Sequence, residues 1–203
     1  MSDLSVKVFH LFTIFIFNLV LLCVPFAASG IPNSPVETTL AHFRQVPCLE
    51  EEDFHYYKGI VRALSYSRMR VFRAFCSQPE TTAVQAIESL QRLVFYPLSF
   101  DQVAILETFF KIENTTIAQG WKVLEKTASL DFTAMQAASE IRLITDLDSD
   151  SFFSILDTLQ TLSDSGCWAA KALFTVGSIS GRQASDGLAI IKTMNATQQA
   201  AAE

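Results

Sequence analysis

Proline and glycine are scarce in this chain, and their distribution limits the fold. All six prolines lie between Pro25 and Pro97, and only seven glycines occur in 203 residues. The sequence beyond Pro97 therefore lacks the strongest breakers of regular structure. No stretch alternates apolar and polar residues as a half-buried strand does, whereas Leu, Ala, Gln, Glu and Lys, which favour helices, are common. We predict an all-α fold.

Histidines and basic residues are also few. The chain has three histidines, and its 15 lysines and arginines face 21 aspartates and glutamates, which gives a net charge of −6. The acidic excess lies in residues 99–203, since residues 30–98 are balanced. Nucleic-acid binding needs an electropositive face, so we predict no nucleic-acid partner. H-E-x-x-H, paired E-x-x-H and glycine-rich phosphate loops are all absent, so we predict no cofactor and no enzymatic activity.

Long apolar runs are confined to the N-terminus. Lys7 precedes an apolar run from Leu11 to Ala28, and small residues followed by Pro32 come next. This layout is typical of an export signal. We expect cleavage near Ser29–Gly30, giving a signal peptide of residues 1–29 and a periplasmic or secreted protein. The alternative is an uncleaved membrane anchor, because about 18 apolar residues can just span a bilayer.

Residues 30–203 are long enough for one domain with a substantial core. We divide them into N-terminal helices (30–80), helical-hairpin repeats (81–194) and a frayed tail (195–203). Asn114-Thr115-Thr116 and Asn195-Ala196-Thr197 are glycosylation sequons, which matter only in a eukaryotic secretory pathway.

Cysteine is too rare for a disulfide scaffold. Cleavage leaves Cys48, Cys76 and Cys167, an odd number. We predict one helix over Leu49–Phe75, which would hold Cys48 and Cys76 roughly 40 Å apart, too far for a disulfide. The two can pair only if that helix folds back, for which Gly59 is a candidate position.

The predicted long helix is amphipathic and carries the one concentrated basic feature. At 100° per residue its aromatic and aliphatic residues share one arc. Arg68 falls inside that arc and should find a carboxylate or reach out to solvent. The opposite side is a basic face that could bind an acidic partner, anionic lipid or the acidic half of the same molecule, or simply be solvated. This candidate partner-binding face consists of Lys58, Arg62, Arg70 and Arg73.

A repeat is visible from residue 81 onward. Residues 81–85 and 115–119, which lie 34 residues apart, both have Thr-Thr and then Gln three residues after the second Thr. Capping-box spacing predicts helix starts at Thr82, Ser99 and Thr116. The equivalent apolar positions Leu90, Leu124, Leu159 and Ile191 are separated by steps of 34, 35 and 32.

Apolar stripes at helical spacing predict the faces that each hairpin buries. The return helix of the second unit carries Phe132, Met135, Ala138, Ile141 and Ile144. The third unit ends with a stripe of Trp168, Ala169, Ala172, Leu173 and Val176.

Such steps suit stacked antiparallel helical hairpins, a short α-solenoid; an irregular helical bundle is the alternative. The spacing resembles that of tetratricopeptide repeats. Three positions of that family's consensus are matched here, by Trp121, Leu124 and Ala137. Glu125 and Ala128 stand where that family has Gly and Tyr, and the closing Pro is absent. The resemblance implies architecture only.

Other candidate sites have simpler interpretations. Glu51 and His55 share a helix face, which favours an ion pair over a metal site. Residues 177–181 (GSISG) lack the central Ser of a nucleophile elbow. A Cys–His nucleophile from Cys48 or Cys76 has no activating feature in the sequence, so we interpret these cysteines as structural.

Two functional hypotheses follow. The first is an exported, non-enzymatic repeat protein that binds a protein or peptide. The second is a small-molecule or lipid binder, with an apolar cavity between the Phe- and Trp-rich helices. The membrane enters either hypothesis only through an uncleaved N-terminal segment.

Overall fold

The computed structural model describes residues 34–200, and within that range the chain is helical with no strand. This confirms the all-α prediction. The predicted signal (1–29) and the end of the predicted tail (201–203) lie outside the described residues. The helices are α1 (Pro35–Arg44), α2 (Glu51–Ala63), α3 (Tyr66–Cys76), α4 (Ala83–Phe95), α5 (Phe100–Phe109), α6 (Ile117–Ala128), α7 (Phe132–Ala138), a 3₁₀ helix (Ser139–Leu143), α8 (Ser149–Leu159), α9 (Asp164–Thr175) and α10 (Gly181–Ala200).

The three predicted capping boxes are confirmed. At the start of α4 the Thr82 hydroxyl accepts from the Gln85 backbone N–H, and the Gln85 side chain accepts from the Thr82 N–H. Ser99 and Gln102 do the same for α5, and Thr116 repeats the arrangement for α6. Each box satisfies two N–H groups that a helix start would leave unpaired.

The single long helix predicted over Leu49–Phe75 is wrong, because the helix breaks at Leu64 and Ser65. Leu64 has extended backbone (φ −64°, ψ 142°), and so has Ser65, the N-cap residue of α3. The Leu64 side chain at the break is buried in the core. Gly59, the expected fold-back position, lies inside α2.

The predicted return helix through Ile144 also ends early. The α-helix stops at Ala138 and tightens into 3₁₀ geometry as far as Leu143. Thr145, two residues further on, donates its backbone N–H to the carbonyl of Ile179. Its own carbonyl accepts a hydrogen bond from the Gly181 N–H. These two hydrogen bonds hold the connection between α7 and α8 against the start of α10.

Helix contacts follow the chain order. The helix pairs with the most extensive contacts are consecutive or next-but-one, with the 3₁₀ helix counted as the end of α7. Thus α3 packs on α1 and α5, α7 packs on α9, and α8 packs on α10. No described helix is long and apolar enough to cross a membrane.

In the core, phenylalanine rings join α1 to α3 and α5 to α8. Ring centroids are 5.2 Å apart between Phe43 and Phe72, and 5.0 Å apart between Phe109 and Phe152. Such aromatic pairs add about 0.5–1.5 kcal/mol to the free energy of burial. A close approach completes the packing: Gly120 of α6 lies so near α3 that a Cβ there would be 2.8 Å from a Phe75 ring carbon.

Candidate functional site

The basic face predicted from the sequence is divided between two helices. Lys58 and Arg62 lie on α2, and Arg70 and Arg73 lie on α3 beyond the break. Arg62 is exposed and 3.5 Å from Glu37 of α1. The Lys58 ammonium is 2.6 Å from His55 Nδ1, and Arg73 is half-buried in the last turn of α3.

Arg70 is committed to an intramolecular contact. Its guanidinium donates to both carboxylate oxygens of Glu107 on α5, with 2.8 Å from Nε to Oε1. That hydrogen bond raises the pKa of Arg70 above its ordinary value. The same guanidinium lies 5.7 Å from the ring centroid of Tyr66 and 5.4 Å from that of Phe100. An arginine therefore already lies between two aromatic rings and a carboxylate on this molecule.

The hydrogen-bond partner of Arg68 differs from the predicted one. It donates from Nη2 to the backbone carbonyl of Tyr96 at 3.2 Å, rather than to a carboxylate. Its Nε is buried and has no hydrogen-bond partner among the described residues. A carbonyl is a weaker partner than a carboxylate, so this side chain is incompletely satisfied.

The other sequence candidates form ordinary structural contacts. Glu51 Oε1 lies 3.0 Å from His55 Nε2 and 2.9 Å from Arg44, which makes an exposed ion-pair cluster. Within residues 34–200 no three His, Cys, Asp or Glu side chains are grouped to hold a metal ion. In the 177–181 segment, Ser180 accepts from the Gln183 N–H and so caps α10.

The three described cysteines are free thiols. Cys48 is exposed, whereas Cys76 and Cys167 are buried. Burial raises the pKa of Cys76 and of Cys167, so both favour the neutral thiol. A buried protonated thiol is a poor nucleophile, in agreement with the structural interpretation of Cys76.

Of the two sequons, Asn114 lies at an exposed turn before α6 with φ 58°. Thr116, its third residue, is the capping residue of α6. The side chain of Asn195 lies outside the described residues.

A set of polar contacts that the sequence did not reveal joins α2, α4, α6 and α8. Gln91 donates to the Tyr57 hydroxyl at 3.1 Å, linking α4 to α2. The Arg92 guanidinium of α4 lies 4.0 Å from the Trp121 ring centroid on α6 and 2.6 Å from Glu125. One step further along, Lys126 pairs with Asp157 of α8. The cations Arg92 and Lys126 are 34 residues apart, so the same link recurs at the repeat spacing.

Four large aromatic side chains are exposed near the starts of alternate helices. They are Tyr66 (56% exposed), Phe100 (65%), Phe132 (74%) and Trp168 (50%). The first three are the first residues of α3, α5 and α7, and Trp168 lies one turn into α9. We call these four residues the aromatic row. Because these positions recur along the chain, we treat the aromatic row as a candidate contact surface.

The aromatic row corrects two predicted stripes. Phe132 was assigned to the buried face of its helix, and Trp168, Ala169, Ala172 and Val176 to that of α9. The buried face of α9 instead consists of Gly166, Cys167, Ala170 and Phe174. The helix therefore buries Phe174 with three small residues, and the predicted stripe lies mostly outside the core.

Contacts between neighbouring helices link the helices of the row in two pairs, α3 with α5 and α7 with α9. Arg70 contacts both Tyr66 and Phe100, which places these two rings side by side. Between α7 and α9, Thr133 donates to Asp164 at 2.7 Å, and Lys171 donates to Gln136 at 3.3 Å. The Lys171 ammonium also lies 5.1 Å from the Trp168 ring centroid.

Two carboxylates meet beside Phe132. The Thr133 hydroxyl lies 2.9 Å from Asp131 Oδ1 and 2.7 Å from Asp164 Oδ1. One hydroxyl has one proton, so it can donate to only one of these oxygens at a time. The Ala134 backbone N–H lowers the pKa of Asp131, which keeps that carboxylate ionised near neutral pH. This end of the aromatic row is therefore electronegative.

Comparison with protein-family profiles, with curated proteins and with solved structures gave no match for this chain.

Proposed function

We propose that this chain is an exported, non-enzymatic helical-repeat protein that binds a protein or peptide partner. Its hairpins would stack as a short α-solenoid with two-helix units of about 34 residues, the length of tetratricopeptide units. The most extensive helix contacts are between near neighbours in the chain, which supports stacking. The recurrence of the Arg92–Glu125 link as Lys126–Asp157 supports the same repeat.

The aromatic row is the observation that carries the binding proposal. A stacked array presents equivalent positions of successive units along one surface, which suits an extended partner. Phe and Trp supply large contact areas and are enriched where proteins bind one another. Phe132 exposes 74% of its surface, although burial of such a ring would be worth about 1.5–3 kcal/mol.

The core favours a partner-binding surface over an internal ligand cavity. The Phe75 ring contacts the rings of Phe110 and Trp121, at centroid distances of 5.6 Å and 5.2 Å. These aromatic side chains therefore pack against each other. Export is proposed from the sequence of residues 1–29 alone.

Cross-linking and affinity capture in the native compartment test the proposal. Wild-type protein would be compared with the Phe100→Ala/Phe132→Ala/Trp168→Ala variant and with Phe95→Ala, a control 77% exposed outside the row. We expect the same specific partner with wild type and with the control, and its loss with the row variant. Equal recovery with all three proteins, or recovery of no specific partner, would contradict the proposal.

A further inference from the structure

We propose that Arg68 binds an aspartate or glutamate side chain of the partner, at the Tyr66–Phe100 end of the aromatic row. The partner would then be an extended segment in which one acidic residue adjoins apolar residues that cover the row. This inference rests on the proposed function and adds the chemistry of the partner. It follows from a guanidinium beside the row whose charge no described carboxylate balances.

Arg68 lies beside the first pair of the row. It is two residues after Tyr66, in the first turn of α3, and its guanidinium donates to the backbone carbonyl of Tyr96 at 3.2 Å. Tyr96 ends α4 and stands four residues before Phe100, the first residue of α5. Because Arg70 on α3 contacts the rings of both Tyr66 and Phe100, the two helix starts are adjacent here. The Arg68 guanidinium therefore lies where α3 meets the α4–α5 turn.

Most arginines that the structure describes pair with a carboxylate of this chain, but Arg68 does not. The paired ones are Arg44, Arg62, Arg70, Arg92 and Arg142. Arg182 is exposed to water, and Arg73 lies in the last turn of α3, where the carbonyl end of the helix favours a cation. Arg68 is half-buried at the opposite end of α3, whose first turn contains no acidic residue. Its charge is thus unbalanced at a position where the helix dipole disfavours a cation.

The hydrogen-bond donors of Arg68 are also incompletely used. Among the described residues its one acceptor is the Tyr96 carbonyl, which Nη2 reaches. Nε is buried without a partner, whereas Nη1, which also has none, is not buried. A carboxylate at this open edge can accept from Nη1 and from the second N–H of Nη2, and such charge-assisted pairs are roughly twice as strong as neutral hydrogen bonds. A partner carboxylate would therefore supply the counter-charge that α3 and the α4–α5 turn lack.

The two ends of the row differ in charge. At the first end, Asp101 on α5 makes no ion pair with Arg68, so the guanidinium stays open to an outside carboxylate. At the other end, Asp131 and Asp164 bring two carboxylates to the starts of α7 and α9, against the ammonium of Lys171. Like charges that face each other across an interface weaken binding. We therefore expect the acidic residue of the partner at Arg68 and its apolar residues toward the other end.

Fluorescence anisotropy with three labelled nine-residue probes tests the inference. Each probe alternates serine and leucine, carries glutamate, glutamine or lysine as its second residue, and has a C-terminal amide, which removes the terminal carboxylate. We expect the wild-type protein to bind the glutamate probe at least about tenfold more tightly than the glutamine probe, and the lysine probe most weakly. Added salt should weaken the glutamate probe more than the glutamine probe.

Matched variants locate the acidic residue of the probe. Arg68→Gln should weaken glutamate-probe binding by about tenfold and leave glutamine-probe binding unchanged, because only the charged pair is lost. Arg68→Glu should reverse the preference, so that the lysine probe binds more tightly than the glutamate probe. Arg182→Gln, on an exposed position of α10, should bind all three probes as wild type does. Lys171→Gln, at the far end of the row, should weaken the glutamate probe less than Arg68→Gln does.

Three results would overturn the inference. They are equal binding of the glutamate and glutamine probes by wild type, wild-type binding of the glutamate probe by Arg68→Gln, and a loss in Lys171→Gln as large as that in Arg68→Gln. Circular dichroism melts would verify that each variant is folded. The comparison of probes on wild type needs no variant, so it decides the matter even where a substitution at Arg68 prevents folding.

The native capture experiment separates failure of this inference from failure of the proposed function. A row-dependent partner cross-linked through an acidic segment supports both. Cross-linking through a basic or uncharged segment, of another protein or of a second copy of this chain, would refute the acidic guest alone. Recovery of no row-dependent partner would refute both.

Discussion

The guanidinium of Arg92 lies 4.0 Å from the ring centroid of Trp121, on the next but one helix. Trp121 is buried and donates from its indole N–H to Ser89 at 3.1 Å, so α4 holds both the face and the edge of this ring. The arginine also reaches Glu125 at 2.6 Å. One side chain of α4 therefore covers a core ring of α6 and pairs with a charge beside it.

Arg92→Ala should lower the free energy of unfolding by about 1 kcal/mol, through loss of the cation–π contact and of cover over Trp121. The ion pair contributes little of this, because Arg92 and Glu125 are about half exposed. Urea denaturation followed by Trp fluorescence measures the change. Arg182→Ala, on an exposed position of α10, is the control and should stay near wild type. Equal stability of both variants would refute the role given to Arg92.

Replacing glycine by alanine should change the stability of the protein in opposite directions at two helical positions. A Cβ at Gly120 would clash with ring carbons of Phe110 and Phe75, whereas one at Gly59 meets nothing within 4 Å. Gly120→Ala should therefore destabilise the protein by about 1–3 kcal/mol. Gly59→Ala should stabilise it by about 0.5–1 kcal/mol, because alanine loses less backbone entropy in a helix. Thermal melts of the two variants measure both effects, and a change of the same sign in both would contradict this packing.

Thiol reactivity should distinguish the three cysteines. Cys48 is exposed, whereas burial holds Cys76 and Cys167 as neutral thiols. Iodoacetamide at mildly alkaline pH should alkylate Cys48 in the native protein and leave Cys76 and Cys167 unmodified until denaturant is added. Peptide mass spectrometry identifies the labelled sites. Native alkylation of Cys76 at the rate of Cys48 would show that its helix is not packed as described.

Acid should weaken the protein through Asp131. The Ala134 N–H lowers the folded-state pKa of Asp131, so the carboxylate stabilises the fold above its unfolded pKa of about 3.9. That stabilisation is lost as the pH falls through the lower, folded-state pKa. Asp131→Asn should therefore lose less stability than wild type on acidification, as measured by urea denaturation across the acid range. Asp186→Asn, exposed on α10, is the comparison, and an identical response of the two variants would contradict the assignment.

The features predicted correctly from the sequence are local ones. A capping box needs four consecutive residues, so Thr82–Gln85 and Thr116–Gln119 were recognisable without a neighbour. The break at Leu64 was missed because the apolar residues before and after it continue one helical register. No proline or glycine stands at Leu64 or Ser65, so no local pattern marks the position.

The candidate site was harder to predict for a related reason. Phe132 and Trp168 are among the most apolar residues of their helices, so periodicity assigned them to the core. The core takes the smaller Ala134, Ala137, Cys167 and Ala170 instead, because α7 and α9 approach each other closely. The residues of the basic face lie on two helices rather than one because the break at Leu64 divides them. Exposure depends on which helices are neighbours, and that is a property of the tertiary structure.

Deletion of one whole unit tests the stacked-hairpin architecture most directly. Removing residues 83–116 takes out 34 residues and joins Thr82 to Ile117, which keeps a capping box with Gln119. Removing residues 83–99 takes out 17 residues and joins Thr82 to Phe100, which keeps a capping box with Gln102. Circular dichroism melts would compare the two proteins with wild type. A stacked array predicts that the whole-unit deletion keeps a cooperative helical melt, while the half-unit deletion, which leaves one helix without its hairpin partner, does not. Loss of cooperative folding in the whole-unit deletion, or equal behaviour of the two, would contradict the account.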